Sequence, residues 1–149
     1  MTICAAVQEM LGRDESSAGY GMTVLSAADG QASVTLVVEK SSANGHGLAH
    51  GGLIFGLADT AFACAANSRL EGTVTAGADI TYYSPAFVGD TLFADGAVRH
   101  LSGRHSLVDV TVRRGSEVIA EYRGRGAIVR PKTEHTSGSS AGTEKEVAQ

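Results

Sequence analysis

Residues 44–69 read Asn-Gly-His-Gly-Leu-Ala-His-Gly-Gly-Leu-Ile-Phe-Gly-Leu-Ala-Asp-Thr-Ala-Phe-Ala-Cys-Ala-Ala-Asn-Ser-Arg. The second part of this stretch, residues 53–69, is long and rich in alanine, so it predicts a helix. Apolar residues fall on every side of that helix, which marks it as one surrounded by protein. A single carboxylate, Asp59, sits among Leu57, Ala58, Ala61 and Phe62. The first part belongs to a polar, glycine-rich loop over residues 39–52. That loop is too long for a simple connector, and long ordered loops in compact domains are often functional.

On the N-terminal side, Ile3, Val7, Met10 and Leu11 recur at helical spacing and predict a short amphipathic helix over residues 3–11. Residues 21–27 and 32–38 read as the two strands of a hairpin. Asp29-Gly30 between them is a turn dipeptide. On the C-terminal side the chain reads as strands over residues 73–83, 91–100, 105–113 and 117–129. Val108, Val110 and Val112 alternate with Asp109, Thr111 and Arg113, as in a half-buried strand. Pro85, Gly89-Asp90, Ser102-Gly103 and Arg114-Gly115-Ser116 supply the turns. Residues 131–149 lack large apolar side chains and are expected to be a disordered tail. The order is helix, hairpin, one enclosed helix, then a run of antiparallel strands. One curved sheet around one helix gives an α+β domain over residues 1–130.

Composition narrows the function. The chain has 149 residues, 43% hydrophobic and 19% charged, with a net charge of −4. This describes an ordinary globular domain and argues against a nucleic-acid partner, which needs a basic face. No segment approaches a membrane span, and no basic-then-apolar leader opens the chain. The two cysteines, Cys4 and Cys64, have neither metal nor redox spacing. Reduced thiols suit a cytoplasmic location, and no Cys/His cluster implies a metal.

Asp59 carries the chemistry most directly. A buried carboxylate is costly unless partnered, and such groups often mark sites, although one bonded to backbone or facing a solvated groove is an equal reading. His50-Gly51-Gly52 opens the same helix. The first N–H groups of a helix lack internal partners and lie at the positive end of its dipole. Glycine lets a substrate approach that backbone closely, so an oxyanion could be held there; alone, the tripeptide is a weak signal and reads better as a tight turn into the helix. Gly51 and Asp59 are eight residues apart, roughly 12 Å along a helix. One substrate carbonyl cannot touch both in a single subunit. It can if two such helices run antiparallel across a two-fold axis, which implies a dimer with two shared sites.

The stretch Asn44–Ala63, with Ala66-Asn67-Ser68 after it, strongly resembles the phenylacetic-acid-degradation (PaaI-like) thioesterases of the hotdog superfamily. The pattern is N-x-H-G-x-x-H-G-G-x-x-F-x-L-A-D-x-A-F-A, ending in N-S. The likeness continues through residues 83–92 and 98–100 and spans roughly residues 5–130. It implies a hotdog fold and hydrolysis of acyl-CoA thioesters, often aryl-acetyl ones such as hydroxylated phenylacetyl-CoA, in phenylacetate catabolism. It also implies a homotetramer built from dimers, with coenzyme A entering only as part of the substrate.

Matched by position, Asp59 corresponds to the acid that activates water or attacks the carbonyl. Gly51 corresponds to the backbone donor to the thioester oxygen, Asn44 to a polar position at the scissile group, and His50 to a supporting histidine. Many relatives have Arg before the proline where this chain has Ser84, which puts a phosphate contact there in doubt. The Ser102-Gly103-Arg104 turn is a candidate for the CoA phosphates, since Arg suits phosphate, or simply a solvated hairpin tip. His46, Thr60 and Asn67 read either as ligand contacts or as local hydrogen-bonding residues. Phe62, Tyr82 and Tyr83 are candidates for an aromatic acyl pocket or for core. Two other functions remain open: a hotdog enoyl-CoA hydratase or dehydratase, and a non-catalytic acyl-CoA-binding module.

Overall fold

The computed structural model describes residues 2–129; the tail expected over residues 131–149 lies outside the described residues. Helices α1 (Ala5–Gly12) and α2 (Glu15–Gly19) lead into strands β1 (Thr23–Ala28) and β2 (Gln31–Val37). A 3-10 turn, Lys40–Ser42, precedes α3 (Gly51–Asn67), and four strands follow: β3 (Thr73–Tyr82), β4 (Thr91–Ser102), β5 (His105–Arg114) and β6 (Glu117–Ile128). All six strands form one antiparallel sheet in the order β1-β2-β4-β5-β6-β3. The sheet curls over α3, which is the hotdog fold.

The expected elements are present with two differences. Helix α3 begins at Gly51, two residues earlier than its alanine content suggests. His50 stands at its N-cap, where the imidazole Nδ1 accepts from the Gly52 N–H at 2.8 Å. That bond replaces a partner the first turn cannot find within the helix. Helix α2 was not expected, because Glu-Ser-Ser-Ala-Gly has no apolar period. It is held by Asp14, whose side chain accepts from the Ser16 and Ser17 N–H groups at 2.9 and 3.2 Å.

The core lies between α3 and the concave face of the sheet. Leu57, Ala58, Ala61, Phe62 and Ala65 of α3 are fully buried against the inward residues of β2, β4 and β5, including Val34, Leu92, Ala94, Val108, Val110 and Val112. Cys64 is in the same layer, and burial pushes its thiol up to about 12. Small residues let the helix sink into the sheet. A Cβ on Gly96 would meet the Ala61 carbonyl oxygen at 3.0 Å, and one on Gly124 would meet the Phe62 and Tyr122 rings at 2.5 and 2.8 Å. Gly124→Ala is therefore expected to overpack this layer and lower stability by about 1–3 kcal/mol, read as a lower midpoint in urea unfolding. An unchanged midpoint would mean that Phe62 and Tyr122 can move apart freely.

Burial of α3 is one-sided within the protomer. Phe55, Asp59 and Ala63, spaced four apart on one stripe, are only half-buried, as are Gly56 and Thr60. Within the protomer the sheet covers only the opposite face, so this stripe is left without cover among the described residues. The two sheet edges also differ. The β1 edge is covered by the N-terminal segment: Cys4 N–H donates to the Ala27 carbonyl at 2.9 Å and Ala27 N–H to that of Thr2 at 3.0 Å. The outer edge of β3 pairs with no strand among the described residues.

Candidate active site

Asp59 projects from the half-buried stripe of α3 toward the β3 side of the sheet. Its Oδ1 accepts two hydrogen bonds, from Thr75 Oγ1 on β3 at 2.8 Å and from the Tyr122 phenol on β6 at 2.5 Å. Among the described residues nothing donates to Oδ2. The carboxylate is thus neither fully buried nor merely solvated. One oxygen is anchored and the other is free for an incoming group.

The other end of the stripe is Gly51. No group among the described residues accepts from its backbone N–H. Its carbonyl accepts from the Tyr82 phenol at 2.7 Å. Gly51 and Tyr82 line a cleft of about 310 Å³ with Asn44, Leu48, Ile54 and Tyr83. Asn44 shapes the loop beside it. The Asn44 side-chain oxygen accepts from the His46 and Leu48 N–H groups at 2.9 and 3.1 Å, and the Asn44 N–H donates to the Leu48 carbonyl at 2.7 Å. The structure therefore brings Asn44, His50 and Gly51 to one place, with the Gly51 N–H unpartnered at the start of a helix. An anion or polarised carbonyl is favoured at such a point.

Asp59 is not in that cleft. Eight residues of helix separate it from Gly51, roughly 12 Å. It adjoins a second cavity of about 500 Å³ lined by Met10, Ala63, Val74, Thr75 and Val129 among others. Thr75 belongs to both, since it lines that cavity and donates to Asp59.

The Ser102-Gly103-Arg104 turn is remote from Gly51 in the same chain. The Arg104 guanidinium donates to the Ile128 carbonyl at 3.2 Å, and Ile128 pairs with Thr73 at the start of β3. Gly51 contacts Tyr82 at the other end of that ten-residue strand.

The remaining candidates divide. Thr60 donates to the Gly56 carbonyl at 2.9 Å, a bond within the helix. Asn67 is buried, and its amide holds the turn after α3 through Ala63, Gly72 and Thr73 while also bordering the 500 Å³ cavity. Phe62 is fully buried in the core, whereas Tyr82 and Tyr83 line the Gly51 cleft. Ser84, the position where the resemblance raised a phosphate contact, stands at the corner held by Arg114. The Arg114 guanidinium donates to the Pro85 carbonyl at 3.2 Å and pairs with Asp90 and Glu117, both at 2.5 Å.

Thr75 and Tyr122 were not singled out from the sequence. They stand 16 and 63 residues from Asp59. Strand alternation puts Tyr122 on the inner face of β6, but only the sheet order brings it beneath Asp59.

The family model for the thioesterase superfamily matches residues 46–121, which include Gly51, Asp59, Thr75 and Tyr82. The chain is 37% identical over 117 residues to the acyl-coenzyme A thioesterase PaaI of Escherichia coli, covering 78% of this chain and 84% of that protein. It is also 37% identical over 106 residues to a putative esterase of Deinococcus radiodurans, covering 70% and 72%. Among solved structures, E. coli PaaI superposes with a TM-score of 0.81 at 33% identity, over 84% of this chain and 91% of that one. A Streptococcus mutans protein bound to acetyl CoA superposes with a TM-score of 0.70 at 31% identity, over 72% and 88%. No helix among the described residues is long and apolar enough to cross a membrane.

Proposed function

Since the chain belongs to the thioesterase superfamily, we propose that it hydrolyses acyl-CoA thioesters to the free acid and CoA, with Asp59 supplying the reactive carboxylate. The observation that carries this reading is the Asp59 group itself. One oxygen is fixed by Thr75 and Tyr122, and the other is free on a half-buried helix face.

Thioester hydrolysis needs a base or nucleophile and a donor to the developing oxyanion. The free Asp59 oxygen takes the first role, either removing a proton from water or attacking the carbonyl carbon. The unpartnered Gly51 N–H takes the second, at a helix N-terminus where the dipole favours negative charge. The carbon–sulfur bond then breaks and CoA leaves as its thiolate, which takes up the proton removed from water; where Asp59 attacks the carbon instead, the acyl-Asp59 anhydride left behind is cleaved by water to the free acid. His50 supports the donor by capping the helix, and Asn44 by shaping the loop beside it.

The roughly 12 Å between Gly51 and Asp59 requires two chains. The bare edge of β3 and the uncovered Phe55-Asp59-Ala63 stripe lie on the side where a second copy would be needed. Two-fold pairing of β3 with its copy sets the two α3 helices antiparallel, so Gly51 of one chain meets Asp59 of the other. The same pairing carries the Ser102-Gly103-Arg104 turn of one chain toward the Gly51 cleft of its partner, where Arg104 can meet CoA phosphates. Two such dimers form a tetramer in this reading.

The 310 Å³ cleft suits the pantetheine arm. The 500 Å³ cavity, which starts at Thr75 beside the reactive carboxylate, suits the acyl group. Its size and the apolar part of its wall, Met10, Ala63, Val74 and Val129, favour an aryl-acetyl or medium-length acyl group over acetyl, with Arg13 and Glu71 on the rest of the lining. The similarity to E. coli PaaI, a protein from a phenylacetic acid degradation operon, supports the aryl-acetyl choice and a role in phenylacetate catabolism. The free thiols Cys4 and Cys64 suit the cytoplasm.

The test is thiol release from a panel of acyl-CoAs running from acetyl through octanoyl to phenylacetyl and hydroxyphenylacetyl. Phenylacetyl-type substrates are expected to show the highest kcat/KM. Binding of all of them without thiol release would favour a non-catalytic module. Hydration of a 2-enoyl-CoA without thiol release would favour the hydratase reading.

A further inference from the structure

We propose that Tyr122 is a positioning residue for the Asp59 carboxylate: with Thr75 it fixes Oδ1, and so it assigns Oδ2 as the oxygen that reacts. The inference rests on the role given to Asp59 above.

The geometry around Tyr122 is that of a fixed donor. The side chain is 2% exposed. Its ring lies edge-on to Phe55, with centroids 5.4 Å apart, and tilted against Phe62 at 6.1 Å. Gly124 leaves just enough space for this, since a Cβ there would meet the ring at 2.8 Å. The phenol thus has one direction to point, and at its end stands Asp59 Oδ1 at 2.5 Å. Burial, and then the hydrogen bond to Asp59, push the phenol well above its ordinary range, so it remains a donor at any working pH.

A carboxylate on an otherwise apolar helix face could rotate about its Cβ–Cγ bond and exchange its oxygens. Two donors on one oxygen prevent that. Other charges near the group are engaged elsewhere. Arg125 on β6 pairs with Asp79 on β3 at 2.9 Å. Arg123 on β6 pairs with Asp109 on β5, and Glu121 on β6 accepts from Thr111 on β5 at 2.9 Å. On α1 and its C-terminal flank, Glu9 and Arg13 pair with each other at 3.5 Å. Helix α3 itself holds no second charge. Among the described residues, the phenol and the threonine are the groups that hydrogen-bond the carboxylate.

The test is Tyr122→Phe, which removes the phenol oxygen and keeps the ring. Its kcat on the best acyl-CoA of the panel should fall by about tenfold or more, the scale of a lost hydrogen bond to a charged group, with KM little changed. The folded fraction is measured beside it, since a merely structural role would lower the amount of active protein and leave kcat per folded chain unchanged. Should the phenylalanine variant fail to fold, 4-fluorophenylalanine at position 122 fills the place of the phenol oxygen without a donor, and the same fall in kcat is expected.

Asp59→Asn is measured beside it. If Asp59→Asn is inactive while the Tyr122 variant keeps its kcat, this proposal is overturned and the role of Asp59 stands. If Asp59→Asn is itself active, the role of Asp59 falls and the positioning role falls with it.

Discussion

Asp59→Asn is expected to lower kcat by at least about a hundredfold, with KM little changed and the fold intact. The substitution exchanges one oxygen for an amide nitrogen. Thr75 and Tyr122 both donate to Oδ1, and the amide oxygen can accept both bonds in its place. The packing of Phe55, Phe62 and Tyr122 has no reason to change. What disappears is the free, negatively charged Oδ2, which is the base or nucleophile. A positioned general base contributes typically 10²–10⁴ in rate, and the loss falls on kcat because the missing interaction belongs to the chemical step. The measurements are steady-state thiol release and a thermal melt. Turnover within a few-fold of the parent, in a protein that melts normally, would remove Asp59 from the mechanism.

The second large effect is a gain. Gly51→Ala and Asp59→Asn should each be poorly active alone, and mixing them under conditions of subunit exchange should restore about a quarter of parental activity. A Cβ on Gly51 would stand 3.3 Å from the Tyr82 hydroxyl oxygen, so the tyrosine must shift slightly and the donor at the helix start is displaced. Loss of an oxyanion donor costs roughly 10²–10³ in rate, and a displaced donor costs somewhat less. Random pairing makes half of all dimers mixed. Each mixed dimer has one site with both lesions and one with neither, so a quarter of all sites are whole. Native mass spectrometry would confirm the mixed species. If mixed dimers form and activity stays at the level of the parents, Gly51 and Asp59 serve the same chain's site and the two-chain geometry is wrong.

Local chemistry made some elements readable directly. The Asp29-Gly30 turn needs positive φ at both positions, and both have it, at 53° and 80°. The alternation of Val108, Val110 and Val112 marked the inner face of β5. Gly51 and Asp59 stood out because a glycine pair at a helix start and a lone carboxylate in an apolar helix both need explaining. Other features depend on contacts that spacing does not encode. Asp14 holds α2 through a cap with no apolar period behind it. The start of α3 moves to Gly51 because the His50 side chain happens to reach Gly52. Thr75 and Tyr122 reach Asp59 only because β3 is the far neighbour of β6, a consequence of sheet order that no local window contains. The half-buried stripe on α3 was likewise invisible, since composition reports apolar residues but not which of them another surface covers.

The bare edge of β3 bears on the life of the chain before the proposed dimer forms. Ten residues there, Thr73–Tyr82, present backbone donors and acceptors to whatever strand arrives. Edges left open in stable monomers are usually guarded by lysine, proline or strong twisting. This one has neither lysine nor proline. Its register slips only between Thr75 and Gly77, and its one carboxylate, Asp79, is already paired with Arg125. If the proposed dimer forms through this edge, a newly made protomer faces a race between meeting its own copy and meeting a misfolded neighbour. Variants that slow recognition between copies would be lost as insoluble protein in the expressing cell rather than recovered as quiet monomers, and a survey of soluble variants alone would undercount them.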